Sequence, residues 1–329
     1  MRLTGIISAL VFARVALGQD SSSTTSAAPT PSSSTAASSD WTPPNIAASD
    51  LVESYSSDSD SDPLIPTTIS AGCSAFLTSL NSDGTIGSCL ASLNTALSSF
   101  TSGPGSASAV PKTLKSLCSI KSCTTETMGA KLTEFKDRCS DELIGSNPNP
   151  VVIKNYDALY ALVPFKAAVC AMDGPNYCLI NAGTNSTSTQ STAARRFGRS
   201  YVAGHSAAKR AQTVLVPNTN TYSSNYLMFL FTSPAMPAEL LCTNCTANIL
   251  SEYMSFQMSQ PHALGSAKSP LLGGQGTLWS SMSEKCPADY MKKLSKGSSF
   301  DNSNSGAVST AAGYFTALAA ALAAAVALF

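Results

Sequence analysis

The stretch "CSAFLTSLNSDGTIGSCLASLNTALSSF", residues 73–100, decides how the chain is read. Cys73, Phe76, Leu77 and Leu80 recur at the spacing of one helix face. The polar run Asn81-Ser82-Asp83-Gly84 breaks the rhythm, and Ile86, Cys89, Leu90, Leu93, Leu97 and Phe100 resume it. That pattern describes two amphipathic helices joined by a tight turn.

Outward from this pair the helical period continues. After the Gly/Ser/Ala/Pro stretch "TSGPGSASAVP", residues 110–117 make a short helix, and Thr124 is placed to cap a longer one whose stripe is Met128, Leu132, Phe135 and Cys139. A further helix covers "NYDALYALVPFKAAVC", with Pro164 kinking it or starting its second half. Leu241, Cys242, Cys245, Ile249, Tyr253 and Phe256 return to helical spacing, followed by helices in "TLWSSMSEKC" and "PADYMKKL". The run "NYLMFLF", residues 225–231, reads as either a buried strand or a helix segment. Strand signals are otherwise nearly absent. The expected fold is all-α: a disulfide-rich helical domain over residues 69–296 with a polar, basic insertion at 181–213. A Ser/Thr/Pro-rich stalk at 19–66 precedes it, too poor in large apolar groups to offset the entropy of ordering.

Only 12% of the 329 residues are charged, 20 basic against 20 acidic, so no net field is available to hold nucleic acid. Residues 1–18 have the order of a signal peptide: Arg2, an apolar run, then the small-x-small pattern Ala16-Leu17-Gly18. In an oxidising compartment the ten cysteines, Cys73, Cys89, Cys118, Cys123, Cys139, Cys170, Cys178, Cys242, Cys245 and Cys286, imply up to five disulfides. The CxxC at Cys242–Cys245 lacks a second pair at matching spacing, and His205 and His262 are not placed to complete a zinc site, so a structural role is expected and no metal site. Two close cysteine pairs, Cys118/Cys123 and Cys242/Cys245, each precede a helix, as an internal duplication or two helix-capping bridges would.

The insertion carries the sequon Asn185-Ser186-Thr187 and the dibasic pairs Arg195-Arg196 and Lys209-Arg210, which offer cleavage after Arg196 or Arg210 to proteases of the secretory pathway; a solvated basic loop accounts for them as well. Asn244-Cys245-Thr246 is also formally a sequon, weakened by the cysteine inside it.

Catalytic signatures are missing. Neither G-x-S-x-G nor H-E-x-x-H occurs, and Ser206-x-x-Lys209 stands without its companion motifs. "DSDSDP" has Pro63 where a calcium loop needs Gly. Glu126, Glu134, Asp137, Asp141, Glu142 and Asp157 could serve a two-carboxylate hydrolase, but the simpler reading is the solvated face of amphipathic helices. Gly273-Gly274-Gln275-Gly276 reads as a turn. No catalytic residue and no cofactor are assigned.

The tail "AAGYFTALAAALAAAVALF" falls short of the roughly 20 residues a membrane span needs, and Lys292, Lys293 and Lys296 precede rather than follow it. The small residues Ser303-Asn304-Ser305-Gly306, a weakly polar spacer and the apolar run are the order of a GPI-attachment signal. The expected attachment site is Asn304, with Ser303 and Ser305 as alternatives, residues 297–304 as the linker and 305–329 removed. The plasma membrane is then a partner through the anchor.

On "CSAFLTSLNSDGTIGSCLASL", "CTTETMGAKLTEFKDRCSDEL", "YDALYALVPFKAAVC", "LLCTNCTANILSEY" and "SPLLGGQGTLW", the chain resembles a family of basidiomycete secreted proteins. That family carries a domain of unknown function, often with a predicted lipid anchor; the resemblance spans 69–290 and implies no activity. The layout Cys73, Cys89, Cys118-x4-Cys123, Cys139 is also similar to that of elicitins, small all-helical secreted proteins of oomycetes that bind sterols in an apolar cavity. This second resemblance implies the pairs Cys73–Cys139 and Cys89–Cys123, with Cys118 joined to a later cysteine such as Cys170. Five further cysteines have no counterpart in it.

Three functions follow as expectations. The first is a non-catalytic, GPI-anchored glycoprotein of a fungal cell surface, with cell-wall glycans as candidate partners. The second is a lipid- or sterol-binding module with Phe76, Leu80, Leu93, Phe135 and Leu159 lining an apolar cavity, although stripes at this spacing also fill any helical core. A hydrolase of wall polysaccharide comes last.

Overall fold

The computed structural model describes residues 41, 44, 46, 48–56, 64–101, 109–121, 123–182, 213–260, 263–265 and 268–296. In chain order its elements are strand β1 (Val52–Ser56), helices α1 (Ala71–Leu80), α2 (Gly84–Thr101), α3 (Val110–Ser119), α4 (Thr125–Arg138), α5 (Ser140–Ile144) and α6 (Pro150–Val169), strands β2 (Met172–Asp173) and β3 (Asn176–Tyr177), and helix α7 (Cys178–Ala182). After the insertion come β4 (Thr213–Pro217), α8 (Thr219–Ser224), α9 (Ala238–Leu241), α10 (Asn244–Ser259), α11 (Gln275–Lys285) and α12 (Ala288–Ser295). The all-α class is what the molecule shows, with short antiparallel pairings as its only β-structure among the described residues.

The turn between α1 and α2 is built by Asp83. Its carboxylate accepts from the backbone N–H groups of Thr85 and Ile86, both at 2.9 Å, and pairs with Lys131 of α4 at 2.8 Å. One residue thus caps a helix and orients it against another. Thr124 caps α4 as expected, accepting from the Thr127 N–H, and Thr243 does the same for α10 through Thr246. Pro164 lies inside α6, which runs on past it.

Helix α6 is the axis of the fold. Tyr156, Ala158, Leu159, Tyr160, Ala161, Leu162, Phe165, Ala168 and Val169 are all buried, so apolar residues cover its whole circumference. A helix of that kind has neighbours on every side; α4 and α10 pack against it most extensively.

Two expectations are corrected. The first concerns the segment read as the end of the stalk, which joins the folded body. β1 pairs antiparallel with β4 in the register Val52↔Pro217 to Ser56↔Thr213, Leu51 is fully buried, and Glu53 forms an ion pair with Lys154 of α6 at 3.0 Å. A single buried leucine and a ladder of backbone hydrogen bonds to a distant partner order residues whose local composition would not. The second concerns "NYLMFLF", where the strand reading fails and the helical one is met only by a single 3₁₀ turn, Leu227–Phe229, between left-handed residues Tyr226, Leu230 and Phe231. A strand would alternate its side chains between two faces; this knot turns all five of residues 227–231 inward. The buried Tyr253 hydroxyl donates to the Met228 carbonyl and helps to fasten it.

All ten cysteines are paired. Cys73–Cys139, Cys89–Cys123 and Cys118–Cys170 are the pairs that the elicitin-like layout implies. Cys178–Cys245 and Cys242–Cys286 complete the set. The CxxC cysteines therefore bond outward to different partners, not to each other. Cys178–Cys245 joins the chain before the insertion to the chain after it, whereas the other four bridges close on one side.

Candidate functional site

Lys154 and Lys166 of α6 are only half-buried, but Asp157 lies in the middle of the helix among buried apolar residues. It is 1% exposed. The Ser269 hydroxyl donates to its two carboxylate oxygens at 2.6 and 2.8 Å, and the Leu271 N–H donates at 2.6 Å. Ser269 Oγ in turn accepts from the Leu272 N–H at 2.8 Å. The carboxylate thus orders the turn that leads into α11, the "LLGGQG" turn of the sequence. No strand precedes that turn, and a side chain at Gly274 would meet the Tyr226 ring at 2.8 Å. Burial outweighs the hydrogen bonds, so the Asp157 carboxyl is pushed up to about 6.

Tyr160 lies one turn further along α6. Its ring packs edge-on against Phe256 with centroids 5.0 Å apart, and its buried hydroxyl has no hydrogen-bond partner among the described residues. Burial, with the neighbouring Asp157 charge, pushes this phenol up to about 12. Both residues line a cleft of about 350 Å³, bounded on its other sides by Gln257 of α10, Gln275 and Trp279 of α11, and by Leu264, Gly265, Ser269 and Leu272. Gln257 and Gln275 exchange side-chain hydrogen bonds at 2.7 and 3.2 Å, strapping α10 to α11. The volume is at the lower end for small-molecule sites. Among the described residues Asp157 is the one carboxylate in its lining, and no lysine or arginine contributes to it. The cleft therefore offers a negative charge, a spare hydroxyl, amides and an indole, without the second carboxylate that glycoside hydrolysis uses.

The solvated-face reading of the acidic residues needs correction at two positions. Glu126, Asp137 and Asp141 are exposed and Glu134 is half-exposed. Asp157 and Glu142 are buried instead. Glu142 accepts from the Ser70 N–H at 2.6 Å; burial pushes its carboxyl up, but the bonds from Ser70 bring it below its ordinary value. Glu142 also lies beside Cys73 and Cys139, whose sulfurs are bonded to each other and offer no thiolate to a metal.

Phe76, Leu80, Leu93, Phe135 and Leu159, named as the lining of an apolar cavity, fill the core. Phe135, Leu93 and Leu159 are fully buried, and the Phe76 and Phe135 rings touch with centroids 5.1 Å apart. None of the five lines the cleft. Asn244 is half-buried at the start of α10, where its amide reaches Asp173 at 3.4 Å; Thr246 of the same sequon is buried. Asn185, Arg196, Arg210, Ser303, Asn304 and Ser305 lie outside the described residues, as do "DSDSDP", Ser206 and Lys209. Sequence reasoning missed Asp157; the signal that could have found it is an acidic residue inside a stretch whose apolar residues follow no single stripe.

A family model described as a domain of unknown function (DUF7729) matches residues 58–198. This is narrower than the span of 69–290 over which the family resemblance was read, and it ends within the insertion. No curated protein and no solved structure matches the chain, so the likeness to elicitins and to a basidiomycete family finds no support there. What the comparisons identify is a DUF7729 domain of unknown function at residues 58–198.

Proposed function

We propose that this protein is a non-catalytic, disulfide-braced glycoprotein of a cell surface, held at the membrane through a GPI anchor at Asn304 or a neighbouring serine. The observation that carries the reading is that every cysteine is paired. Five disulfides persist in secretory and extracellular compartments and are reduced in the cytosol. The apolar, signal-like residues 3–13 and the order of residues 303–329 supply the route and the anchor. Wall glycans are the partners that such a location brings within reach.

Intact cells producing the native protein provide the test. Surface biotinylation should label it, thiol alkylation without reductant should modify no cysteine, and phosphatidylinositol-specific phospholipase C should release it into the medium. A cytosolic protein with ten alkylatable thiols would overturn the reading, and a surface protein that the lipase leaves in place would overturn the anchor.

A further inference from the structure

Two features of the Asp157 cleft are left unanswered by the contacts that hold the fold. Phenylalanine would pack at position 160 as well as tyrosine does, yet the structure buries a hydroxyl there without a partner among the described residues. Asp157 is almost fully buried with only neutral donors, Ser269 Oγ and Leu271 N, to satisfy it. Buried charges in folded proteins are as a rule paired, and no lysine or arginine among the described residues lines this cleft. An unpaired hydroxyl and an unneutralised carboxylate on the walls of one cavity share an explanation if a ligand supplies what both lack.

The chemistry of that ligand follows from the lining. A cation answers the carboxylate, and N–H groups or a hydroxyl answer the oxygen of Tyr160. The half-buried indole of Trp279 presents a face that attracts alkylated ammonium groups and covers C–H surface. Gln257 and Gln275 hold each other across the cleft and keep further donor and acceptor positions for polar substituents. An inorganic anion would meet the Asp157 charge, and an apolar ligand would leave both buried polar groups unanswered. We infer that the Asp157–Tyr160–Trp279 cleft binds a small organic ammonium compound. The inference stands on the cleft alone and is independent of where the protein resides.

Calorimetric titration of the intact protein at about pH 7.5 tests it with four probes: choline and its uncharged carbon isostere dimethylbutanol, glucosamine and glucose. The expected result is binding of choline, glucosamine or both, with the uncharged counterpart at least about tenfold weaker. Choline alone would mark a quaternary head group, glucosamine alone a primary amine. Because the Asp157 carboxyl sits at about 6, binding should weaken by about tenfold on going to about pH 5. Asp157→Asn should abolish the preference for the cation, and Tyr160→Phe should weaken binding while leaving the fold intact by near-UV circular dichroism. Should Asp157→Asn not fold, Tyr160→Phe and Trp279→Ala carry the test. Equal binding of charged and uncharged probes, retention of the preference in Asp157→Asn, or no heat with any probe up to about 10 mM, where even weak complexes register, would each overturn the proposal.

Discussion

Helices α4 and α6 pack against each other, and each carries acidic residues among apolar ones. On α4 the buried residues Met128, Leu132 and Phe135 form one stripe, leaving Glu126 and Asp137 in solvent. On α6 the apolar residues go all the way round, and Asp157 is enclosed with them. The same side-chain type is a solubilising group on one helix and a costly, oriented group on the other. What separates them is whether the helix has a polar face to place the residue on.

The comparison can be broken at several points. The largest effect is expected from Leu159→Ala on α6, which removes a fully buried side chain and should cost about 3 kcal/mol in urea unfolding. A loss below about 1 kcal/mol would mean that α6 is not the axis of the core.

The pH dependence of stability comes next. Asp157 moves from an ordinary value of 3.8 to about 6, so the folded state holds this proton more tightly than the unfolded chain does. Its contribution is greatest below about pH 4 and is lost as pH rises through about 6, on the order of 2–3 kcal/mol. Glu142, lowered on folding, acts in the opposite direction, so its contribution is lost as pH falls. The Asp157 part is therefore read as the difference between the native protein and Asp157→Asn across about pH 4–8. Parallel curves for the two proteins would refute the buried-carboxylate account.

Ser269→Ala removes the hydroxyl that donates to Asp157 and accepts from the Leu272 N–H, and should cost about 2 kcal/mol. Its effect should be larger at about pH 8 than at about pH 5, since a charged carboxylate loses more than a neutral acid. Thr124→Ala and Thr243→Ala, which uncap α4 and α10, should each cost about 1 kcal/mol. Smallest of all, Asp137→Ala on the exposed side of α4 should stay within about 0.5 kcal/mol of the native protein. A larger loss would place a partner on that face.

Much of the fold was legible in residue order. Period and caps located α1, α2, α4 and α10, because an amphipathic stripe and a threonine cap are local properties. Three of the bridges coincide with those that the expected resemblance to elicitins implied, although the comparisons do not support that resemblance. The β1–β4 pairing was not legible, because neither strand has a strong local signal and helices α1 to α7 lie between them in sequence. The "NYLMFLF" knot was missed for a similar reason: five consecutive apolar residues satisfy no single period, and their left-handed backbone follows from what surrounds them. At the candidate site, Asp157, Ser269 and Gln257 are far apart in sequence and meet only because α6 is central.

The sequence by itself determined that this chain is helical, cysteine-braced and without a net charge, since periodicity, cysteine number and composition can be read residue by residue. Only the tertiary structure decided which carboxylates are buried, which apolar residues fill the core instead of lining a cavity, and which cleft brings a spare hydroxyl and an unneutralised charge together. Burial is a property of neighbours brought from elsewhere in the chain, and both the ionisation of Asp157 and the orphaned hydroxyl of Tyr160 are consequences of it.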